Sequence, residues 1–217
     1  MKALRLAILL VLAAICLLPI WAMVATSFKT QVQIFNLDLS PIFVPTLDNY
    51  RAVIEDRFDR FLWNSVVVGL AATALTLVAG TMCAYALARF RFLGRGTLAG
   101  GTLLLRTLPP AVLAVPIFLT WTDLGLANSL TGLTLAYAAL NLPFTIWLLY
   151  GFVQQVPEEL EEAAAIDGCG PFRVFWSVIL PLLAPGLAAA AIFTFRIAWN
   201  EFILSLVLTN RFTRTLP

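Results

Sequence analysis

Histidine is absent from the sequence. Its absence excludes histidine-based acid–base catalysis and HExxH zinc chemistry. Charge is scarce too. Only 12% of the residues are Asp, Glu, Lys or Arg, about half the share a soluble domain carries. No basic run occurs, and a net charge of +2 is too small to point to nucleic acid. No GxxxxGKS/T stretch is present, so the chain has no Walker loop for ATP. The nearest glycine-rich piece, FLGRGTLAGG at 92–101, lacks both the spacing and the lysine, and reads as a turn at a membrane interface. Three cysteines, Cys16, Cys83 and Cys169, stand at no metal or disulfide spacing and read as small fillers. Nothing here assigns a catalytic group, a metal or a cofactor.

What the chain has in quantity is apolar surface. Of its 217 residues, 61% are hydrophobic, and the mean hydropathy is +0.92. Such a chain cannot cover itself with polar groups in water, so the lipid bilayer is its solvent. Leu6 to Ala25 is free of charge and long enough for one span, about 20 residues. A cleaved signal peptide would have a shorter apolar region and end in small residues. This stretch instead runs through CLLPIW, so it reads as a retained helix with Lys2 and Arg5 inside.

Residues 26–60 are polar and mixed, with Asp38, Pro41 and Pro45 among them, and read as external. Within them, PTLDNYRAVIED reads as a short amphipathic helix. Phe61 to Ala88 is the second span. Arg89, Arg91 and Arg95 follow with no acid nearby, which marks a cytoplasmic loop. Gly96 to Thr122 is the third span, interrupted by Arg106, Pro109 and Pro110. The fourth falls at Thr131–Tyr150, and the fifth runs from about Leu182 to Leu208. It leaves TNRFTRTLP as a bare polar loop on the outer side. The expected fold is therefore all-α, a polytopic transmembrane helical bundle in one domain over residues 1–217.

One island breaks the apolar pattern. EELEEAAAIDGCG, residues 158–170, holds four glutamates and an aspartate around three alanines. Pro157 suits the first position of a helix, where its missing N–H costs nothing. Glu158, Glu159, Glu161 and Glu162 suit the positive end of the helix dipole. Leu160, Ala163, Ala164 and Asp167 fall at i, i+3, i+4 and i+7, one helical stripe. Gly168 and Gly170 end the helix, since glycine takes a left-handed cap cheaply. Pro171 starts a second helix, PFRVFWSVILP. A charge run is most often a solvated loop. The small stripe between proline and glycine boundaries argues instead for a surface that something approaches closely.

The run EEAAAIDGCGPFRVFWSVILPLLAP resembles the EAA loop of binding-protein-dependent ABC importer permeases. The family pattern is Glu-Ala-Ala, three residues, Gly, nine residues, Ile, any residue, Leu-Pro. Glu162, Ala163, Ala164, Gly168, Leu180 and Pro181 fit it. Val178 stands where isoleucine is usual, and Cys169 where alanine is more frequent. NSVVVGLAAT, LPPAVLAVPIF, NLPFTIWLL and WNEFILSLVLT extend the likeness to the second permease subunit of maltose-type sugar importers.

The resemblance implies a type I importer permease fold of six helices, hence a sixth helix expected after Pro217. It implies a loop, about 154–181, whose Glu162, Ala163, Ala164, Asp167 and Gly168 dock on a separate cytoplasmic ATPase dimer. It also implies a second permease subunit, as a heterodimer, and an extracytoplasmic solute-binding protein.

Polar residues inside the spans are the candidates for a solute path or gate. Arg106 lies roughly 16 Å along a helix from Arg95, near midplane, where a charge costs about 2.5–3.5 kcal/mol. It reads equally as a path or inter-subunit contact and as a structural pair with a carbonyl freed by Pro109 and Pro110. Trp199, Asn200 and Glu201 fall near the outer interface. Trp199 can be a belt aromatic there, while WNEF fits a role near an outer gate. Asn141 and Trp147 offer the hydrogen bonds and aromatic face that sugars use. Two rivals remain. A secondary transporter would show internal repeats with broken helices at matching positions, and none is seen. A structural anchor has no need of Arg106, Glu201 and a glycine-stopped loop together.

Overall fold

The computed structural model describes residues 2–35 and 43–216. Asp38 and Pro41 lie outside the described residues. Helices are the only regular elements among those described. The chain divides into two compact units, Met1–Asp59 and Arg60–Pro217.

In the first unit, helix α1 (Lys2–Ser27) extends the expected span at both ends. Its apolar window, Leu4–Ser27, has none of its residues buried. A helix apolar on every side is stable only in lipid or against other helices. Thr26 and Ser27 donate their hydroxyls back to the carbonyls of Ala22 and Val24, both at 2.7 Å. Next come α2 (Gln31–Phe35) and α3 (Asp48–Glu55), the latter being the short helix read in PTLDNYRAVIED. Asn49 on α3 donates to the carbonyls of Ser27 and Lys29 at 3.0 and 2.7 Å. Tyr50 packs on Phe28 with ring centroids 5.4 Å apart.

The second unit holds all but the first two residues of α4 (Phe58–Arg89), then α5 (Arg95–Arg106), α6 (Pro110–Asp123) and α7 (Leu130–Gln155). After them come α8 (Glu159–Ile166), α9 (Pro171–Val174), a π-helical turn (Phe175–Ile179), α10 (Leu180–Leu182), α11 (Ala184–Trp199) and α12 (Ile203–Leu208). Among the described residues three helices are long and apolar enough to cross a membrane alone, or up to five if each of two bent pairs is one span. The bent pair α5–α6 is the interrupted third span. Its two halves meet at 101°, because Pro109 is extended and Pro110 can only begin a new helix.

The fifth span departs from a single helix over Leu182–Leu208. It bends by 72° at Leu183, where Pro181 and Pro185 both lack the N–H that a straight helix needs. It then stops at Trp199. The Asn200 side chain donates to the Arg196 carbonyl at 2.7 Å and closes the helix locally. Glu201 Oε1 accepts the Leu204 amide at 3.1 Å and opens α12.

Helix α7 is the centre of the second unit: half of its apolar window is buried. Its Leu133, Ala136, Tyr137 and Ala138 pack with Val68, Ala72, Ala198, Leu204 and Leu208. Small residues set the spacing, as bilayer packing requires. A Cβ at Gly80 on α4 would lie 2.8 Å from Thr145 Cγ2 on α7. Through its hydroxyl the same Thr145 shares a buried hydrogen bond of 3.0 Å with Thr194 on α11.

The last described residues do not form a bare loop. Asn64 Nδ2 on α4 donates to the carbonyls of Phe212 and Arg214 at 3.3 and 3.0 Å, and Ser65 Oγ accepts the Leu216 amide at 2.8 Å. The Asn128 amide bonds the Leu208 carbonyl at 2.9 Å. These contacts gather residues 64–65, 128 and 208–216 at one end of α4. The opposite end, at Arg89, carries α8.

Candidate coupling helix and membrane cavity

Helix α8 begins at Glu159, two residues later than the expected start at Pro157. Its C-terminus closes as the glycine spacing predicts. Gly168 has φ +83°. The Cys169 amide reaches the Ala164 carbonyl and the Gly168 amide the Ala165 carbonyl, each at 3.0 Å. This pair of bonds is the Schellman closure, which needs the left-handed residue. Gly170 does something different: with φ −70° and ψ 161° it is the cap before α9, and Pro171 is that helix's first residue.

One guanidinium ties α8 to the spans. Arg89, at the end of α4, bonds the Glu161 carboxylate through Nε. Its Nη2 donates to the carbonyls of Val153 and Val156 at 3.1 and 2.7 Å, where α7 ends. Tyr85 donates its hydroxyl to Glu161 Oε2 at 2.8 Å. Glu158 stands 3.8 Å from Arg89 but its side chain is 70% exposed, against 15% for Glu161, so Glu161 is the anchor. The positive group also sits where the α7 dipole favours it.

This anchor divides the stripe read from spacing. Glu162, Ala163, Asp167 and Gly168 are exposed. Ala164 is not: it packs inward with Cys169 against Val153, Val174 and Ile179. Leu160 and Ile166 add apolar surface, 43% and 87% exposed. Spacing alone missed Glu161, Tyr85 and Arg89. Only Arg89 carried a signal, as one of three arginines that close a span.

The intramembrane candidates separate. Arg106, Asn141 and Glu201 line one cavity of about 350 Å³ together with Tyr137, Leu140, Ile197 and the α5–α6 break. That volume lies in the range of small-molecule sites, about 300–1,000 Å³. Arg106 is stacked over Phe144, 4.9 Å from the ring centre, rather than bonded to a freed carbonyl. Asn141 is 3% exposed and donates to the Tyr137 carbonyl at 2.8 Å. Its Oδ1 is buried with no hydrogen-bond partner among the described residues. A buried unpaired acceptor costs about 1–3 kcal/mol, so it asks for a donor. Tyr137 donates to the Glu201 carbonyl at 2.8 Å, which fixes the wall between α7 and α12. Trp147 lies elsewhere, in a smaller hollow with Gly100 and Tyr150. Trp199 packs on Phe195 with centroids 5.5 Å apart, and Asn200 serves as the helix cap.

These features define a class. The chain is a multi-pass helical membrane protein with a protruding, glycine-stopped helix hinged to its spans, the build of a transporter's membrane subunit. Residues 76–216 match the family described as binding-protein-dependent transport system inner membrane component, and the chain belongs to that family.

It is 38% identical over 208 residues to the diacetylchitobiose uptake system permease protein NgcG of Streptomyces coelicolor, covering 94% of this chain and 68% of that one. It is 40% identical over 194 residues to the trehalose transport system permease protein SugB of Mycobacterium tuberculosis, covering 89% and 70%. With the trehalose/maltose transport system permease protein MalG of Thermococcus litoralis the identity is 33% over 212 residues, covering 96% and 76%. The fold is shared with a bacterial ABC transporter involved in alginate import, at TM-score 0.71 and 24% identity over 98% of this chain and 75% of that one. The protein is thus a permease subunit of an ABC importer. In such systems ATP hydrolysis resides on a separate chain.

Proposed function

We propose that the chain forms half of the translocation path for a sugar or sugar-like solute. It pairs with a second, distinct permease subunit. Its α8 docks on a cytoplasmic ATPase dimer, and an extracytoplasmic solute-binding protein delivers the solute. The observation that carries the substrate class is the set of relatives, named for diacetylchitobiose, trehalose and trehalose/maltose uptake. The cavity chemistry agrees with it. A buried amide oxygen without a donor, a guanidinium and a carboxylate suit a neutral solute rich in hydroxyls. Arg106, Asn141 and Glu201 are the path residues this reading favours. Trp147, Trp199 and Asn200 stand outside that cavity and serve it at most through packing.

The test is reconstitution of the full complex with a panel of loaded binding proteins. Carbohydrate-loaded proteins are expected to stimulate ATP hydrolysis and uptake. Stimulation by amino-acid- or metal-loaded proteins alone overturns the substrate class.

The proposed orientation puts the N-terminus and the Arg89–Arg95 turn in the cytoplasm and residues 26–60 outside. Its support is the arginine asymmetry, together with the grouping of α8 at the Arg89 end of α4. In a background lacking Cys16, Cys83 and Cys169, a membrane-impermeant thiol reagent applied outside is expected to label Asp48→Cys and to miss Gly94→Cys. The opposite pattern inverts the topology.

A further inference from the structure

An apolar trough beside α8 has no role in the reading above. We infer that it holds one acyl chain of an anionic phospholipid, whose phosphate sits between Arg91 and Arg173. On one wall stand Met82, Tyr85 and Ala86, a stripe of α4, with Phe90 just past its end. Pro171, Phe172, Phe175 and Trp176, from α9 and the π-helical turn, form the other. The hollow measures about 650 Å³. A second hollow of about 240 Å³ shares Met82, Phe175 and Trp176 and continues to Leu77, Val78, Leu180 and Leu187.

Together they follow α4 from Phe90 back to Leu77, about 20 Å at 1.5 Å per residue. One leaflet, hydrocarbon and headgroup layer together, is about half of 40–45 Å deep, so the trough's length matches one leaflet. Wide π turns are frequent at functional sites, and here the turn supplies Phe175 and Trp176 to the trough.

Its two ends differ in chemistry. The deep part offers no free polar group: Thr81 is bonded to the Leu77 carbonyl at 2.6 Å, and Tyr85 is committed to Glu161. The shallow end is cationic. Arg173 lines the trough, and Arg91 is the next residue in the chain after Phe90. Neither has a hydrogen bond or ion pair among the described residues, whereas neighbouring Arg89 is committed to Glu161 and two carbonyls. Meanwhile Phe90, Phe172 and Trp176 are 55%, 74% and 56% exposed. An apolar slot one leaflet long, with one unpaired arginine in its lining and a second next in the chain to its Phe90 wall, fits an anionic lipid. A helix from a partner chain would need its own acid at that point. Because Phe172 and Trp176 directly follow the α8 turn, bound lipid would brace the joint that carries α8.

Native mass spectrometry of the assembled complex in mixed micelles tests this, with palmitoyl-oleoyl phosphatidylglycerol and phosphatidylcholine as probes. Retention of phosphatidylglycerol is expected to exceed that of phosphatidylcholine. Interfacial arginines each contribute about five-fold in affinity for an anionic surface. The Arg91→Gln/Arg173→Gln variant should therefore lose roughly ten- to thirty-fold of the preference, with the complex still assembled. Trp176→Ala should weaken both lipids alike. A photo-crosslinking residue at Phe172 separates lipid from protein: adducts with phosphatidylglycerol support the site, and adducts with another subunit alone overturn it. Equal retention of the two lipids by the wild-type complex overturns it as well. The carbohydrate test above does not depend on this result.

Discussion

Arg89→Met is expected to leave membrane insertion near normal and to cut coupled uptake at least ten-fold. From the end of α4 the guanidinium hydrogen-bonds both α8 and the end of α7. Removing one partner of a buried, hydrogen-bonded pair costs about 3–5 kcal/mol. Here the side chains of Arg89 and Glu161 are 10% and 15% exposed, so the lower end of that range applies. The Val156 carbonyl loses its side-chain donor at the same time, while the Val153 carbonyl keeps the Val156 amide. Every 1.4 kcal/mol shifts a population ten-fold, so the equilibrium of α8 would move toward release from the spans by roughly a hundred-fold. If α8 docks on the ATPase, closure of the ATPase would then move a loose helix instead of α4 and α7.

Two controls separate this from general damage. Arg89→Lys keeps the charge but cannot reach three acceptors with a planar fork, so it should remain severely impaired. Glu158→Ala should be nearly silent, since that carboxylate is 70% exposed and exposed pairs contribute about 0–1 kcal/mol. Paired measurements of uptake and substrate-stimulated ATP hydrolysis decide it. Wild-type coupling in Arg89→Met, or an equal loss in Glu158→Ala, would sink the idea.

Gly168→Val carries the second large effect. A left-handed backbone costs a residue with a side chain roughly 1–2 kcal/mol, and β-branching makes it worse. Within the subunit nothing else opposes the change, because a Cβ at Gly168 meets no atom within 4 Å. Strain alone predicts a ranking. Gly168→Asn should be mildest, since asparagine tolerates this conformation, then Gly168→Ala, then Gly168→Val. Close approach of an ATPase predicts another pattern: all three lose uptake while thermal stability in detergent follows the strain ranking. The second pattern supports docking at this turn. If uptake instead tracks stability throughout, the turn is only a cap.

Ala163→Trp adds an exposed probe on the same face. Ala164→Trp does not serve, because Ala164 packs inside its own subunit and a tryptophan there would disrupt the Val153–Ile179 cluster directly.

What was legible in the sequence was local. Apolar run length found the spans, and paired prolines placed the 101° break between α5 and α6. Pro171 and Gly168 set the boundaries of α9 and α8, because each acts through its own backbone. The spacing of Glu162, Ala163, Ala164 and Gly168 led to the permease family. Side-chain bonding decided where spacing failed. Asn200 stopped α11 and Glu201 opened α12, so the last span broke where hydropathy runs on unbroken.

Longer-range choices belonged to the tertiary structure. Glu161 and Glu162 are neighbours of one chemistry, and no local rule separates them. Arg89 and Tyr85, more than seventy residues away in sequence, chose Glu161 as the anchor and left Glu162 on the surface. The same packing turned Ala164 inward and Ala163 outward. It also brought Arg106, Asn141 and Glu201 to one cavity and left Trp147 out of it. A helix's sequence determines which residues share a face. Only its neighbours determine which way that face points.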